Sequence, residues 1–242
     1  MLFVHEVHQV VGAKEDEFES AYREGWMRLL AQDDDARLLW YLNHAHGSGV
    51  SYNVVTITAV RDGDAYERLA RRMQSGDLQD WARETDTYRH DVVGKLMMPV
   101  YWSRIQEVDF ADVPTDGSEH ELSLFMEDTG WPSSPIDDYI KMWDELYSQP
   151  IARHAEGTGT VTIDIQACFQ NAPGAGKRRE AMLWQKVNNP ETVLHLLTHD
   201  LDPEMRKPGT YMYESLAYRD QWESKLLRTA AWSPLPAATE VA

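Results

Sequence analysis

Cysteine is nearly missing from this chain: Cys168 is the only one in 242 residues. An intramolecular disulfide is excluded, and so is a zinc site built from several thiolates. Positive charge is also scarce, with 23 Lys and Arg against 40 Asp and Glu, a formal net charge of −17. The deficit is even, because residues 1–117 carry −9 and residues 118–242 carry −8. Without a basic lobe, phosphate backbones and anionic lipid surfaces meet repulsion, so neither nucleic acid nor membrane is expected as a partner. No apolar run is long enough to span a bilayer, and no basic-then-apolar leader opens the sequence. The expectation is a cytoplasmic protein in a reducing compartment. Nucleotide and nucleophile motifs are missing too. Ala175-Gly176-Lys177 lacks the Walker spacing and precedes a strand-like segment. No Gly-x-Ser-x-Gly elbow occurs, and no Ser-His-Asp set can be assembled.

What is present is a repeat. Tyr88-Arg89, Lys95-Leu96 and Trp102-Ser103 recur as Tyr218-Arg219, Lys225-Leu226 and Trp232-Ser233, all at an interval of 130. Tyr22 and Trp26 recur as Tyr139 and Trp143 at an interval of 117, which places a net insertion inside the second copy. Repeated Trp and Tyr at fixed intervals decide the architecture: two fused units of similar size.

Each unit reads as β-α-β-β-α-β. In the first, strands are expected at Leu2–Val11, Leu38–Ala45, Tyr52–Val60 and Val100–Val108. Helices are expected at Lys14–Gln32, Asp64–Gln74 and Leu78–Leu96. In the second, Glu121–Glu127, Val161–Gln170 and Arg179–Val187 read as strands. Ile136–Ala152, Glu191–Thr198 and Met212–Arg228 read as helices. The order is that of a ferredoxin-like split βαβ unit, whose sheet carries helices on one face only. A second copy is the natural cover for the bare face. The fold class is therefore α+β: two tandem ferredoxin-like repeats packed sheet to sheet as an α+β barrel. The expected boundaries are residues 1–109 for the first repeat, 110–120 for a linker, 121–235 for the second repeat and 236–242 for a flexible tail.

With that architecture, the chain resembles the dimeric α/β-barrel superfamily in tandem form, and within it NIPSNAP-type proteins. The resemblance rests on two endings, Lys95-Leu96-Met97-Met98-Pro99-Val100-Tyr101-Trp102-Ser103 and Lys225-Leu226 through Trp232-Ser233-Pro234-Leu235. It covers nearly the whole chain but brings no agreed catalytic residues. The superfamily includes cofactor-free monooxygenases, isomerases, lyases and haem enzymes, so the resemblance leaves the chemistry open.

Candidate site residues gather in the first copy. His44 and His46 lie two apart at the end of a strand, where side chains share a face, and could meet on one ligand or metal. Their alternative is a solvated hairpin end. His5 and His8 fall on opposite faces of the first strand, and either could be a hydrogen-bonded core or rim residue. Tyr52, Trp40, Tyr41 and Asn43 on the neighbouring hairpin add donors, acceptors and apolar surface, and Trp131 of the second copy could close the same pocket. The repeated Tyr-Arg pair reads as a structural anchor. His195 and His199 share a helix face, which is a solvated face by default and a haem ligand by the superfamily alternative.

The reading is a small-molecule enzyme acting on a largely apolar organic substrate in the barrel mouth of the first copy. The expected chemistry is cofactor-free acid–base catalysis of the isomerase, lyase or monooxygenase type. A histidine would move the proton, and Tyr or Asn would hold the oxyanion. The alternatives are a non-catalytic ligand-binding or interaction protein of the NIPSNAP type and a metal- or haem-dependent enzyme. No cofactor is favoured. One chain can close the barrel by itself, and a further homodimer is compatible with this.

Overall fold

The computed structural model describes residues 1–237. Eight antiparallel strands close into one barrel in the order β1-β3-β2-β8-β5-β7-β6-β4. The first copy supplies β1 (Leu2–Val10), β2 (Ala36–His44), β3 (Asn53–Val60) and β4 (Arg89–Pro99). The second supplies β5 (Leu124–Pro132), β6 (Ile163–Asn171), β7 (Ala181–Val187) and β8 (Arg219–Thr229). Each copy is thus a four-stranded sheet, and the two join at both edges. The joints are short and match: Leu42, Asn43 and His44 face Thr229, Arg228 and Leu227, while Phe169, Gln170 and Asn171 face Pro99, Met98 and Met97.

Helices cover the outer face. A helical run over residues 15–30 packs Phe18, Tyr22, Trp26, Met27 and Leu30 onto the first sheet. It contains a π-helical stretch, Ala21–Trp26, at whose start the Ala21 carbonyl accepts from Trp81 Nε1 at 3.0 Å. Helices Gly63–Ser75 and Gln79–Asp86 complete the layer, the former capped by the Asp62 side chain accepting from Ala65 N at 2.8 Å. In the second copy the layer is the helical run over residues 136–158, helix Pro190–Thr198 and one turn, Tyr211–Glu214.

The interior is filled by large side chains. Phe3, Trp40, Phe125, Phe169 and Trp184 form its aromatic layer, each of them fully buried. Removing such a side chain from water is worth roughly 1.5–3 kcal/mol. Residues 105–113 cross the barrel base and plug it with Ile105, Val108, Phe110 and Val113. The segment read as linker therefore belongs partly to the core.

Two helix assignments are corrected. Leu78–Leu96 is helical only over Gln79–Asp86 and then becomes β4, and Met212–Arg228 is helical only over Tyr211–Glu214 and the short 3-10 turn Ser215–Ala217 before β8. Both strands show long exposed stretches and so lack the buried alternation that marks a strand. Their ladders to β1 and β5 fix them instead. Val100–Val108 is not a strand but the start of a tail. Trp102 Nε1 donates to Ile140 O at 3.1 Å, and Trp232 Nε1 donates to Glu19 Oε1 at 2.6 Å, each reaching the other copy's first helical run. Ser103 Oγ accepts from Cys168 N at 3.0 Å and Ser233 Oγ from Tyr41 N at 3.1 Å. The repeated Trp-Ser pair is a clasp between copies. Of the expected flexible tail, residues 238–242 lie outside the described residues. Ala237 is buried, and Leu235 N donates to Leu39 O at 3.0 Å.

Candidate functional site

β1 sorts the predicted residues onto two sides of the sheet. His5 points into the barrel with Phe3 and Val7, while Glu6 and His8 point at the helices. The expected single pocket is therefore two separate groups.

Inside the barrel, His5 Nε2 lies 2.8 Å from Glu127 Oε2, both fully buried. His5 faces Lys95 across β1–β4 and Glu127 faces Lys225 across β5–β8, and since the two lysines are repeat mates, His5 and Glu127 are equivalent positions of the two copies. The pair therefore joins the copies at their pseudo-twofold axis. Lys225 donates to Glu127 Oε1 at 3.1 Å, and its repeat mate Lys95 pairs with Glu180 at 2.8 Å. Burial pushes the Glu127 carboxyl up, but His5 and Lys225 outweigh it and hold the group well below the usual carboxylate range. His44 faces this cluster from the end of β2. Burial, then the charge of Lys225, lowers its pKa, and neither of its ring nitrogens has a protein partner.

Several expected members leave the group. His46 is exposed in the loop beyond β2, so strand alternation does not carry it to the face of His44. Tyr52 is half exposed, with φ at 62° in the left-handed region and its ring over Gly12. Trp40 is core, its ring 5.6 Å from that of Trp184. Tyr41 is buried on the opposite, helix side against Trp232. Asn43 sits half-buried at the β2–β8 joint. Trp131 Nε1 donates to Glu180 Oε2 at 2.9 Å, with Arg178 stacked on its ring.

The helix side of the first copy holds the more capable arrangement. His8 is fully buried, and Arg89 Nη1 donates to its Nδ1 at 2.7 Å. A guanidinium can only donate, so Nδ1 is the acceptor and Nε2 carries the hydrogen. Nε2 faces Thr56 Oγ1 at 3.1 Å and Tyr22 Oη at 3.2 Å. Burial, reinforced by Arg89, pushes the His8 pKa well below its usual value, so the ring is neutral. Arg89 is anchored from behind by Asp86. Next to it, burial pushes the Glu6 carboxyl up against the opposing pull of Arg89.

Glu6 and Arg89 line a cavity of about 190 Å³ between sheet and helices. Trp26 and Trp81, stacked at 4.4 Å, form one wall, and Leu69 and Met73 form another, with Tyr22 and Thr58 beside Glu6. A larger cavity, about 340 Å³, lies at the barrel base between Arg37, Arg61 and Phe110. Arg37 there already donates to the Leu30 and Ala36 carbonyls, and both guanidiniums stack on Phe110. Arg37 and Arg61 there also both pair with Asp34, so the smaller cavity is the chemical candidate.

Sequence reasoning kept His8 but missed its partners. In the sequence Tyr22 and Trp26 stand out only as repeat markers and Arg89 only as part of the repeated Tyr-Arg anchor, and nothing there marks Glu6 as a site residue. The available signal was the Arg at the start of the last strand of each copy, next in the sheet to the first strand.

No protein-family model matches the sequence, and no curated protein matches it. Solved structures do match the fold. A candidate monooxygenase from Lactobacillus acidophilus is 10% identical, with 100% of this chain and 98% of that one covered and a TM-score of 0.56. An anthrone oxidase-like protein is 7% identical over 95% and 91% of the two chains, TM-score 0.56. A candidate chlorite dismutase is 8% identical over 96% of both, TM-score 0.52. A NIPSNAP domain protein from Burkholderia xenovorans, 19% identical, covers 42% of this chain with 97% of its own, TM-score 0.36. The chain shares the α+β barrel fold of the structures that match over its full length.

The residues here do not fit the haem that the resemblance leaves open. His195 and His199 stack on each other near the end of helix Pro190–Thr198 and are exposed. The space between sheet and helices in the second copy is occupied by Tyr139, Tyr147, Tyr211, Gln185 and Arg219. The first-copy cavity is far smaller than a porphyrin. Among the described residues no group of three or more His, Cys, Asp or Glu is placed around a metal ion, and no helix is long and apolar enough to cross a membrane.

Proposed function

We propose that the first copy is an acid–base site for a small organic molecule, with Glu6 as the proton acceptor and Arg89 as the oxyanion holder. The observation that carries this reading is the pair itself: a carboxyl raised by burial and a fixed guanidinium line one cavity with indole walls. A carboxyl with a raised pKa is a better-matched general base near neutrality. Glu6 would take a proton from carbon next to a carbonyl. The electron pair would move onto the carbonyl oxygen, where Arg89 N–H groups meet it. Return of the proton to another carbon gives an isomerase, and loss of a neighbouring leaving group gives a lyase. Transfer of an electron from the carbanion to dioxygen and recombination forms a C–O bond, and Glu6 returns its proton to give a hydroperoxide. Where that carbon keeps a hydrogen the loss of water leaves a ketone, an outcome that suits the monooxygenase and oxidase-like names of the structural neighbours.

The proton carrier is thereby reassigned from histidine. His8 is neutral and its Nδ1 lone pair is occupied, so it positions Arg89 and Tyr22. The test needs no knowledge of the natural substrate. In heavy water, the protein should catalyse deuterium uptake at the central carbon of small diketones such as acetylacetone. Glu6→Gln should lower that rate by at least about a hundredfold, the scale of one general base. Full activity in this variant overturns the assignment, and no exchange with any enolisable probe favours a ligand-binding protein.

A further inference from the structure

The second copy shows what the first-copy cavity accepts. The 130-residue interval makes Arg219 the mate of Arg89 and Tyr211 the mate of Trp81, and strand register makes Asp128 the mate of Glu6 and Gln185 the mate of Thr58. In the second copy these mates bond to one another. Gln185 Nε2 donates to Asp128 Oδ2 at 2.9 Å. Tyr211 Oη accepts from Arg219 Nη2 at 3.3 Å and from Trp143 Nε1 at 2.9 Å. Asp128, like Glu6, is raised by burial. In the first copy the two filling groups are gone. Thr58 Oγ1 accepts from Trp26 Nε1 at 3.5 Å, and the Trp81 indole turns to Ala21 O, leaving the 190 Å³ cavity beside Glu6 and Arg89.

We infer that the ligand of this cavity is a neutral single-ring phenol or carboxamide that supplies the two bonds the second copy makes internally. Its O–H or N–H donates to Glu6, as Gln185 does to Asp128. Its oxygen accepts from Arg89, as Tyr211 accepts from Arg219. Size agrees, since a cavity of about 150 Å³ suffices for benzene and 190 Å³ adds room for one substituent. Charge agrees as well: Asp86 already neutralises Arg89, so Glu6 and the net charge of −17 disfavour a carboxylate. The stacked Trp26 and Trp81 offer the ring a flat wall.

This inference rests only on the proposal that the cavity is the functional site and not on its carbon-acid chemistry, since phenol and benzamide carry no proton next to a carbonyl, and binding tests it independently of turnover. The experiment follows the indole N–H signals of Trp26 and Trp81 by NMR while phenol, benzamide, toluene or benzoate is titrated into the full chain. Phenol and benzamide should give saturable shifts at least tenfold tighter than toluene and benzoate. Thr58→Gln, which copies the second copy's filling group, should weaken both by at least tenfold with an unchanged melting temperature. If that variant fails to fold, Gln185→Thr provides the converse, a new phenol-dependent shift at Trp143. Toluene binding within twofold of phenol, or Thr58→Gln binding as wild type, overturns the inference. Deuterium exchange lost while binding persists would overturn only the catalytic proposal.

Discussion

Arg89 and Arg219 occupy the same place in the two copies, yet one faces a cavity and the other a tyrosine hydroxyl. The difference is set by a few positions around them. Where the first copy has His8 bonded to Tyr22, the second has Gly130 under Tyr139, whose hydroxyl is buried without a protein partner. Any Cβ at Gly130 would collide with that hydroxyl. Asp86 anchors Arg89 from behind, but Leu216 stands at the mate position beside Arg219. The two halves present chemically similar groups at equivalent positions, and in the second half they are closed on one another by Gln185 and Tyr211.

The largest effect should come from the contact that unites the copies. Glu127→Ala leaves His5 and Lys225 facing a fully buried gap, and should cost about 3–5 kcal/mol in urea unfolding. A cost below about 1 kcal/mol would mean the pseudo-twofold pair does not couple the halves. Next is the attempt to make the copies alike. Gly130→His overpacks the second copy against Tyr139 and should cost about 3 kcal/mol. A neutral outcome would show that the layer there opens freely. The clasps should break equally: Ser103→Ala and Ser233→Ala each strand one buried backbone N–H, at about 1–2 kcal/mol apiece. Unequal losses would expose asymmetry that the matched geometry hides.

The copies should also differ in pH response. His8 has its pKa lowered on folding, so the unfolded chain takes up its proton first as pH falls below about 6.5. Stability from this residue is full above that value and is lost on acidification, by at most about 1.4 kcal/mol per pH unit. Glu127, lowered from 4.5, acts only further down the scale. His8→Gln should therefore flatten the stability profile between pH 7 and 5, and an unchanged slope would contradict a neutral buried His8. The smallest contrast is between two hydroxyls. Tyr22→Phe removes the bond to His8 and should cost about 1 kcal/mol, whereas Tyr139→Phe should be close to neutral or stabilising. Equal costs would argue that Tyr139 finds a partner in solution.

Legibility from sequence followed the range of each interaction. The repeat intervals were readable because Trp and Tyr are rare and their spacing is kept, and the strands β2 and β3 because their residues alternate or run apolar. β4 and β8 were not, since their side chains are largely solvated and only a partner ladder holds them extended. Among site residues, His5 and His8 were found by type. Their separation onto two faces followed from the strand period, but which face looked into the barrel did not. Glu6 and Arg89 are 83 positions apart, and nothing local marks them as one cavity.

The sequence by itself determined the recurring residue pairs, the acidic balance, the α+β class and the two Trp-Ser endings, because each depends on composition or on spacing along the chain. Tertiary structure alone decided that the endings grip opposite copies, that His5 pairs with Glu127 at the joint, and that one of two equivalent Arg sites stays open. Those outcomes depend on which side chains meet across the barrel and across the helix layer. Such meetings are set by strand register and by the volume each neighbour fills, and neither quantity can be read from one residue at a time.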